Sequence, residues 1–231
     1  MAAEHLLLLP GMMCDERLWG PQAEALPQAI THADTTSADN FDDMARAVLA
    51  EAPERFALAG LSMGGILAFE IWRQAPERVT HMALLDTNPH AEKPERQATR
   101  LEQIHTALAG GLRELATESL KPLYLAESNR DDEELLDTIL DMALDLGPEV
   151  FRRQSLALRD RVDSVPTLLT IHCPTLVLCG SEDRLCPPAY HELMAERIPD
   201  ARLAIVADCG HLSTLEQPGR VTHELETLLA S

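Results

Sequence analysis

An α/β fold is predicted: one mostly parallel, doubly wound sheet of about six strands, interrupted by an all-helical insertion. Three observations predict it. Short apolar runs alternate with helical patterns along most of the chain, which argues for parallel strands joined by crossover helices. The runs are continuously apolar rather than alternating, as expected of strands buried on both faces. From about Asn88 to Thr170 only helical patterns occur.

In chain order, strands are expected at His5–Leu9, Ile30–Thr35, Phe56–Leu61, His81–Leu85, Thr175–Cys179 and Arg202–Val206. Helices between and after them are expected at Phe41–Glu51, Met63–Gln74, Pro188–Arg197 and Gly219–Ala230. Within the insertion, "KPERQATRLEQIHTALAGG" reads as a helix stopped by Gly110-Gly111, and "LRELATESLKPLYLAE" as a second. "DDEELLDTILDMALDLGP" carries acids in its first turn and stops at Gly147-Pro148, and "EVFRRQSLALRDRV" forms a fourth. The expected division is a core of residues 1–87 and 171–231 with a helical cap over 88–170. A set of connecting helices with no part in substrate access is the alternative.

Composition limits the function classes. The 231 residues hold 38 acids against 19 bases, a formal charge of −19. That field repels nucleic acid and anionic membrane surfaces, so neither is an expected partner. The five cysteines are an odd number with no C-x-x-C pair, which suits small buried hydrophobes in a reducing compartment. "MAAEHLLLLPGMM" lacks the basic start of a signal peptide, and no apolar run reaches about 18 residues, so a cytoplasmic protein is expected.

The chemistry concentrates at "FALAGLSMGGILAFEIW", where G-x-S-x-G places Ser62 between a strand run and a helix run. A hydroxyl at the tip of such a turn needs a strained backbone and small neighbours, which Gly60, Gly64 and Gly65 supply. The plainer reading is that Ser62 only caps the helix. A serine nucleophile needs a base. Of nine histidines, His211 in "VADCGHLSTLEQPGRV" follows the last strand and is best placed to reach it; His5, His105, His191 and His223 lie in strand or helix patterns. An orienting carboxylate is expected at Asp183 in "TLVLCGSEDRLCPP", with Asp86 and Glu182 as rivals and Asp208 as a turn residue.

Three motifs in the order Ser62, Asp183, His211, with their flanks, resemble the α/β-hydrolase superfamily, in its branch of serine esterases and C–C hydrolases with a helical cap. The resemblance covers residues 1–87 and 171–231. It implies that the sheet starts at the family's third strand, without the antiparallel pair at the N-terminus. It further implies an oxyanion hole made by the backbone N–H groups of Met12 and Met63. Pro10 in "LLLLPGMM" stands where the family commonly has a histidine, which removes a side chain that helps brace this loop. Serine rather than aspartate at the nucleophile position separates the chain from the family's dehalogenases and epoxide hydrolases. Nothing in the sequence reads as a cofactor or metal motif, so none is expected.

The implied activity is a carboxylesterase-like serine hydrolase acting through an acyl-enzyme on small to medium, uncharged esters, as a monomer or homodimer. A C–C hydrolase, lactonase or aminopeptidase with the same residues is the alternative. More distant are a cofactor-free oxygenase or lyase on the same fold, and a non-catalytic binding protein.

Overall fold

The computed structural model describes residues 3–120 and 123–231. Six strands, β1 (His5–Leu9), β2 (Ala29–His32), β3 (Phe56–Leu61), β4 (Val79–Leu85), β5 (Thr175–Gly180) and β6 (Ala201–Val206), form one sheet in the order β2-β1-β3-β4-β5-β6. The pairing is parallel throughout. The principal helices are α1 (Phe41–Glu51), α2 (Met63–Gln74), α3 (Pro94–Thr106), α4 (Glu133–Arg159), α5 (Pro188–Arg197) and α6 (Pro218–Leu229).

The apolar runs are continuous because successive residues feed two different cores. Leu7, Leu9, Phe56, Leu58 and Val177 pack with α1, α2 and α5 on one face. Their neighbours Leu6, Leu8, Ala57, Ala59 and Leu176 pack with α6 on the other. The edge strands β2 and β6 keep much of their surface in water, while β1, β3, β4 and β5 are buried almost throughout.

Between β4 and β5 the described residues form helices and turns without a strand. Their own apolar cluster, including Ile104, Leu112, Ala143 and Phe151, is rooted on Met13 from the loop after β1. α3 passes into wide turns that end at Gly110, whose φ is 98°. α4 is two helices broken at Gly147 (φ 80°), with Pro148 opening the second where its missing N–H costs nothing. The helix expected over 112–127 is only partly formed. Helical turns run to Leu120, residues 121 and 122 lie outside the described residues, and Leu123 onward is turn and bend. The backbone there serves tertiary bonds instead: Tyr124 O accepts the His211 N–H at 2.6 Å and Ala126 N–H donates to Glu216 at 2.8 Å. β2 likewise ends at His32 rather than Thr35, because the Thr35 and Thr36 carbonyls accept bonds from Gln154 and Arg153.

From β1 the chain steps out to β2, then returns to β3 on the other side of β1. A crevice opens at the carboxyl ends of strands where the order reverses in this way. The loops after β1 and β3 flank it, and they carry Met12 and Ser62.

Candidate active site

Ser62 sits between β3 and α2 with φ 55° and ψ −113°, a left-handed conformation that costs a non-glycine residue about 1–3 kcal/mol. Four bonds hold it there, one of them from the Ile66 N–H to the Ser62 carbonyl at 3.2 Å. Its N–H donates to Leu85 O at 2.9 Å, its carbonyl accepts the Gly65 N–H at 3.0 Å, and Thr87 Oγ1 donates to the same carbonyl at 2.7 Å. Glycine is required on either side for steric reasons: a Cβ on Gly60 would collide with Gly64 O, and one on Gly64 with Leu9 O. The side chain makes no capping bond to α2, so the helix-cap reading fails.

The Ser62 hydroxyl donates instead to His211 Nε2 at 2.8 Å, and His211 Nδ1–H donates to Asp183 Oδ2 at 2.8 Å. All three belong to loops at the carboxyl ends of β3, β5 and β6. Asp183 and His211 are both buried. Asp183 Oδ1 accepts the N–H groups of Leu185 and Cys186, each at 2.8 Å, which fixes the carboxylate against rotation. Burial disfavours the imidazolium of His211, but the charge and hydrogen bond of Asp183, helped by Asp86 and Glu216, hold its pKa above the ordinary value. Asp183, Cys186 and His211 also lie close enough to suggest a cation site. His211 Nδ1 and Asp183 Oδ2 are already bonded to each other, Asp183 Oδ1 is taken by two backbone N–H groups, and burial, with Asp183 and Asp86, keeps the Cys186 thiol protonated.

The rival carboxylates lie elsewhere. Asp86, also buried, accepts the Gly180 N–H at 3.0 Å and bonds Ser213 Oγ at 2.5 Å, tying the loop after β4 to β5 and to the histidine loop. Burial, then the nearby Asp183, pushes its pKa up to about 8. Glu182 accepts the Glu127 N–H at 2.9 Å. Asp208 is a turn residue with φ 50°.

Met12 lies at the cavity opposite Ser62, and among the described residues its N–H has no acceptor. Met63 opens α2, where a backbone N–H has no partner within the helix. Met13, which follows Met12, has φ 55°, and its N–H donates to Gln154 Oε1 at 2.8 Å. Gln154 comes from α4, is fully buried, and donates Nε2 to Thr35 O at 3.2 Å. A glutamine from the helical insertion thus braces the loop that Pro10 leaves without a histidine.

Sequence reasoning missed this residue, along with two others. Glu216 Oε1 accepts the Gly210 and Leu212 N–H groups at 2.9 and 3.2 Å and so shapes the histidine loop. His191, on α5, accepts the Thr87 N–H at Nε2 at 2.9 Å and thereby steadies the residue that holds Ser62. Burial pulls the His191 pKa down to about 4, so it is a neutral acceptor. Glu216 was visible in "GHLSTLEQP"; Gln154 and His191 carried no local signal.

Ser62, Met12 and His211 line a cavity of about 890 Å³, bounded on its far side by residues of the insertion that include Glu92, Arg100 and Tyr124. That volume suits a small-molecule site. Tyr124 stacks on His211 with ring centroids 6.0 Å apart.

A model of the alpha/beta hydrolase family matches residues 6–224. The chain is 30% identical to a thermophilic esterase from Thermogutta terrifontis, solved with malate bound, with a TM-score of 0.91 over 99% of this chain and 90% of that one. It is 27% identical to a pimeloyl-[acyl-carrier protein] methyl ester esterase of Aromatoleum aromaticum, covering 94% of this chain and 95% of the relative. The fold also matches an enol-lactonase from Burkholderia xenovorans LB400, at 22% identity and a TM-score of 0.88 over 100% of this chain and 93% of that one.

Proposed function

We infer the activity from the premise that this chain belongs to the alpha/beta hydrolase family: it is a serine hydrolase that cleaves carboxylic esters through an acyl-enzyme. The observation that carries the reading is the unbroken line of hydrogen bonds from Ser62 Oγ through His211 to Asp183, at 2.8 Å each. The esterase names of its relatives support it.

Ser62 Oγ attacks the ester carbonyl while its proton passes to His211 Nε2. Asp183 keeps the proton on Nδ1, so that Nε2 is the free acceptor, and stabilises the imidazolium once it forms. The tetrahedral oxyanion takes hydrogen bonds from the Met12 and Met63 N–H groups, and loss of one such donor costs about 3–4 kcal/mol in comparable sites. His211 then gives its proton to the leaving alcohol. The same histidine takes a proton from a water that hydrolyses the acyl-enzyme, restoring Ser62. Residues 88–170 act as a cap that closes the cavity and narrows access to it. The enzyme works in the cytoplasm, which fits five buried, free cysteines.

Turnover of p-nitrophenyl esters by Ser62→Ala tests the reading, together with labelling of Ser62 by a fluorophosphonate. The variant is expected to lose about 10⁶-fold in kcat. Near-normal turnover, or an unlabelled serine in the wild type, would refute the mechanism.

A further inference from the structure

The cavity over Ser62 has a charge unlike the rest of the chain. Acids outnumber bases 38 to 19 overall, yet Lys93, Arg96, Arg100, Arg161 and Arg184 line the cavity against one acid, Glu92. Glu92 is buried, and accepts Arg100 Nε at 2.7 Å and both terminal nitrogens of Arg161 at 3.0 and 3.3 Å. One carboxylate cannot neutralise two guanidinium groups, so this buried trio keeps a net positive charge.

The two arginines differ in what they have left to give. Arg161 also donates to His90 O at 2.8 Å and Leu158 O at 3.1 Å, which nearly exhausts its fork. Arg100, beyond Glu92, touches only the Met12 sulfur, at 3.8 Å from Nη1; among the described residues its terminal nitrogens have no oxygen acceptor. Burial works against its charge most, Arg161 and Arg96 also oppose it, and only Glu92 favours it. A planar guanidinium with free donors in a partly desolvated cavity matches a carboxylate in both charge and geometry. Arg100 contacts the Met12 side chain and lines the same cavity as Ser62, so one molecule can span the two.

We propose that the substrate is a carboxylic ester bearing a second, free carboxylate, bound by Arg100 inside the cavity and drawn in by Lys93, Arg96 and Arg184 at its exposed mouth. The proposal rests on the ester-hydrolase reading above and departs from the uncharged ester expected from the sequence. A cationic cleft of this kind raises association rates for an anion by roughly 10–10³. On a chain of charge −19 it supplies a local path through a field that otherwise repels such a substrate.

The test uses the full chain and matched pairs: monomethyl succinate, adipate and suberate against methyl butyrate, hexanoate and octanoate, followed by proton release. For at least one chain length, kcat/KM for the half-ester should exceed that of the neutral ester by tenfold or more. That preference should shrink in 1 M NaCl and fall toward unity in Arg100→Gln. If Arg100→Gln does not fold, the exposed double variant Arg96→Gln/Arg184→Gln should lower the preference through the KM of the half-ester. Neutral esters cleaved as well as half-esters at every length would overturn the proposal and leave the hydrolase reading standing. No turnover of either series would overturn both.

Discussion

Replacing Gln154 with leucine should slow ester turnover through a residue that has no contact with Ser62. Gln154 is fully buried; it accepts the Met13 N–H at 2.8 Å in the loop after β1 and donates to Thr35 O at 3.2 Å and Thr35 Oγ1 at 3.4 Å in the segment after β2. Leucine fills nearly the same volume and removes all three. The stranded Met13 N–H costs about 1–3 kcal/mol and the Thr35 carbonyl about 1 more, so the folded state should lose roughly 2–4 kcal/mol. For a chain of this size that is a fall in Tm of roughly 5–15 °C. The same bond holds Met13 at φ 55°, next to the Met12 N–H proposed above as an oxyanion donor. Removal of an oxyanion donor costs about 10²–10³ in kcat, and a loosened donor part of that, so we expect a loss of about 10–100-fold in kcat with KM nearly unchanged. Steady-state kinetics on p-nitrophenyl acetate, paired with thermal melts, measures both. Gln154→Glu keeps an acceptor for Met13 and should recover part of kcat. A leucine variant that melts lower but turns over at the wild-type kcat would refute the coupling between α4 and the proposed oxyanion donor.

Asp183→Asn should lower kcat by about 10⁴-fold by destroying the tautomer that frees Nε2. Asp86→Asn, which can still bond Gly180 and Ser213, should stay within about tenfold; the reverse ranking would move the orienting role to Asp86. Because His211 is held above its ordinary pKa of 6.5, kcat/KM should fall as pH drops through a midpoint above 6.5, where Nε2 takes up a proton. A midpoint below 6.5 in a pH–rate profile would contradict this. His191 works in the opposite sense, with a folded pKa of about 4 against 6.5 unfolded. Between those values the unfolded chain binds the extra proton, so stability rises with pH across that window and about 3 kcal/mol is lost as pH falls through it. Urea unfolding at pH 4.5 and pH 7 should show a weaker pH dependence for His191→Gln than for the wild type.

What could be read in advance had local signals. β1 and β3 match their expected limits because their apolar runs end at Pro10 and at the glycine-flanked Ser62. Ser62, Asp183 and His211 stand at strand ends beside turn residues, and the structure brings them within hydrogen-bond distance. The residues that support them were not legible, because their partners are distant in sequence. Gln154 meets Met13 across 141 residues, Arg100 meets Met12 across 88, and His191 meets Thr87 across 104. A polar side chain on a helical pattern looks the same whether it faces water or braces a loop from inside the protein. The shortened β2 and the partly formed helix after Leu112 have the same origin, since tertiary bonds took backbone groups that local propensity had assigned to strand or helix.

The parallel pairing of β4 with β5 has a consequence for how the chain becomes active. These strands are neighbours in the middle of the sheet, yet the whole helical insertion separates them along the chain. Closing so long a loop forfeits entropy before any contact compensates, so this pairing belongs to the slow end of folding. His211 joins Ser62 across 149 residues, and both it and Asp183 lie beyond that closure. On the proposed mechanism, a partly folded or partly synthesised chain holds its serine without a base and should be inert toward esters. Turnover should then switch on only with that long-range docking, and the return of activity after dilution from denaturant should time completion of the sheet rather than collapse of the chain.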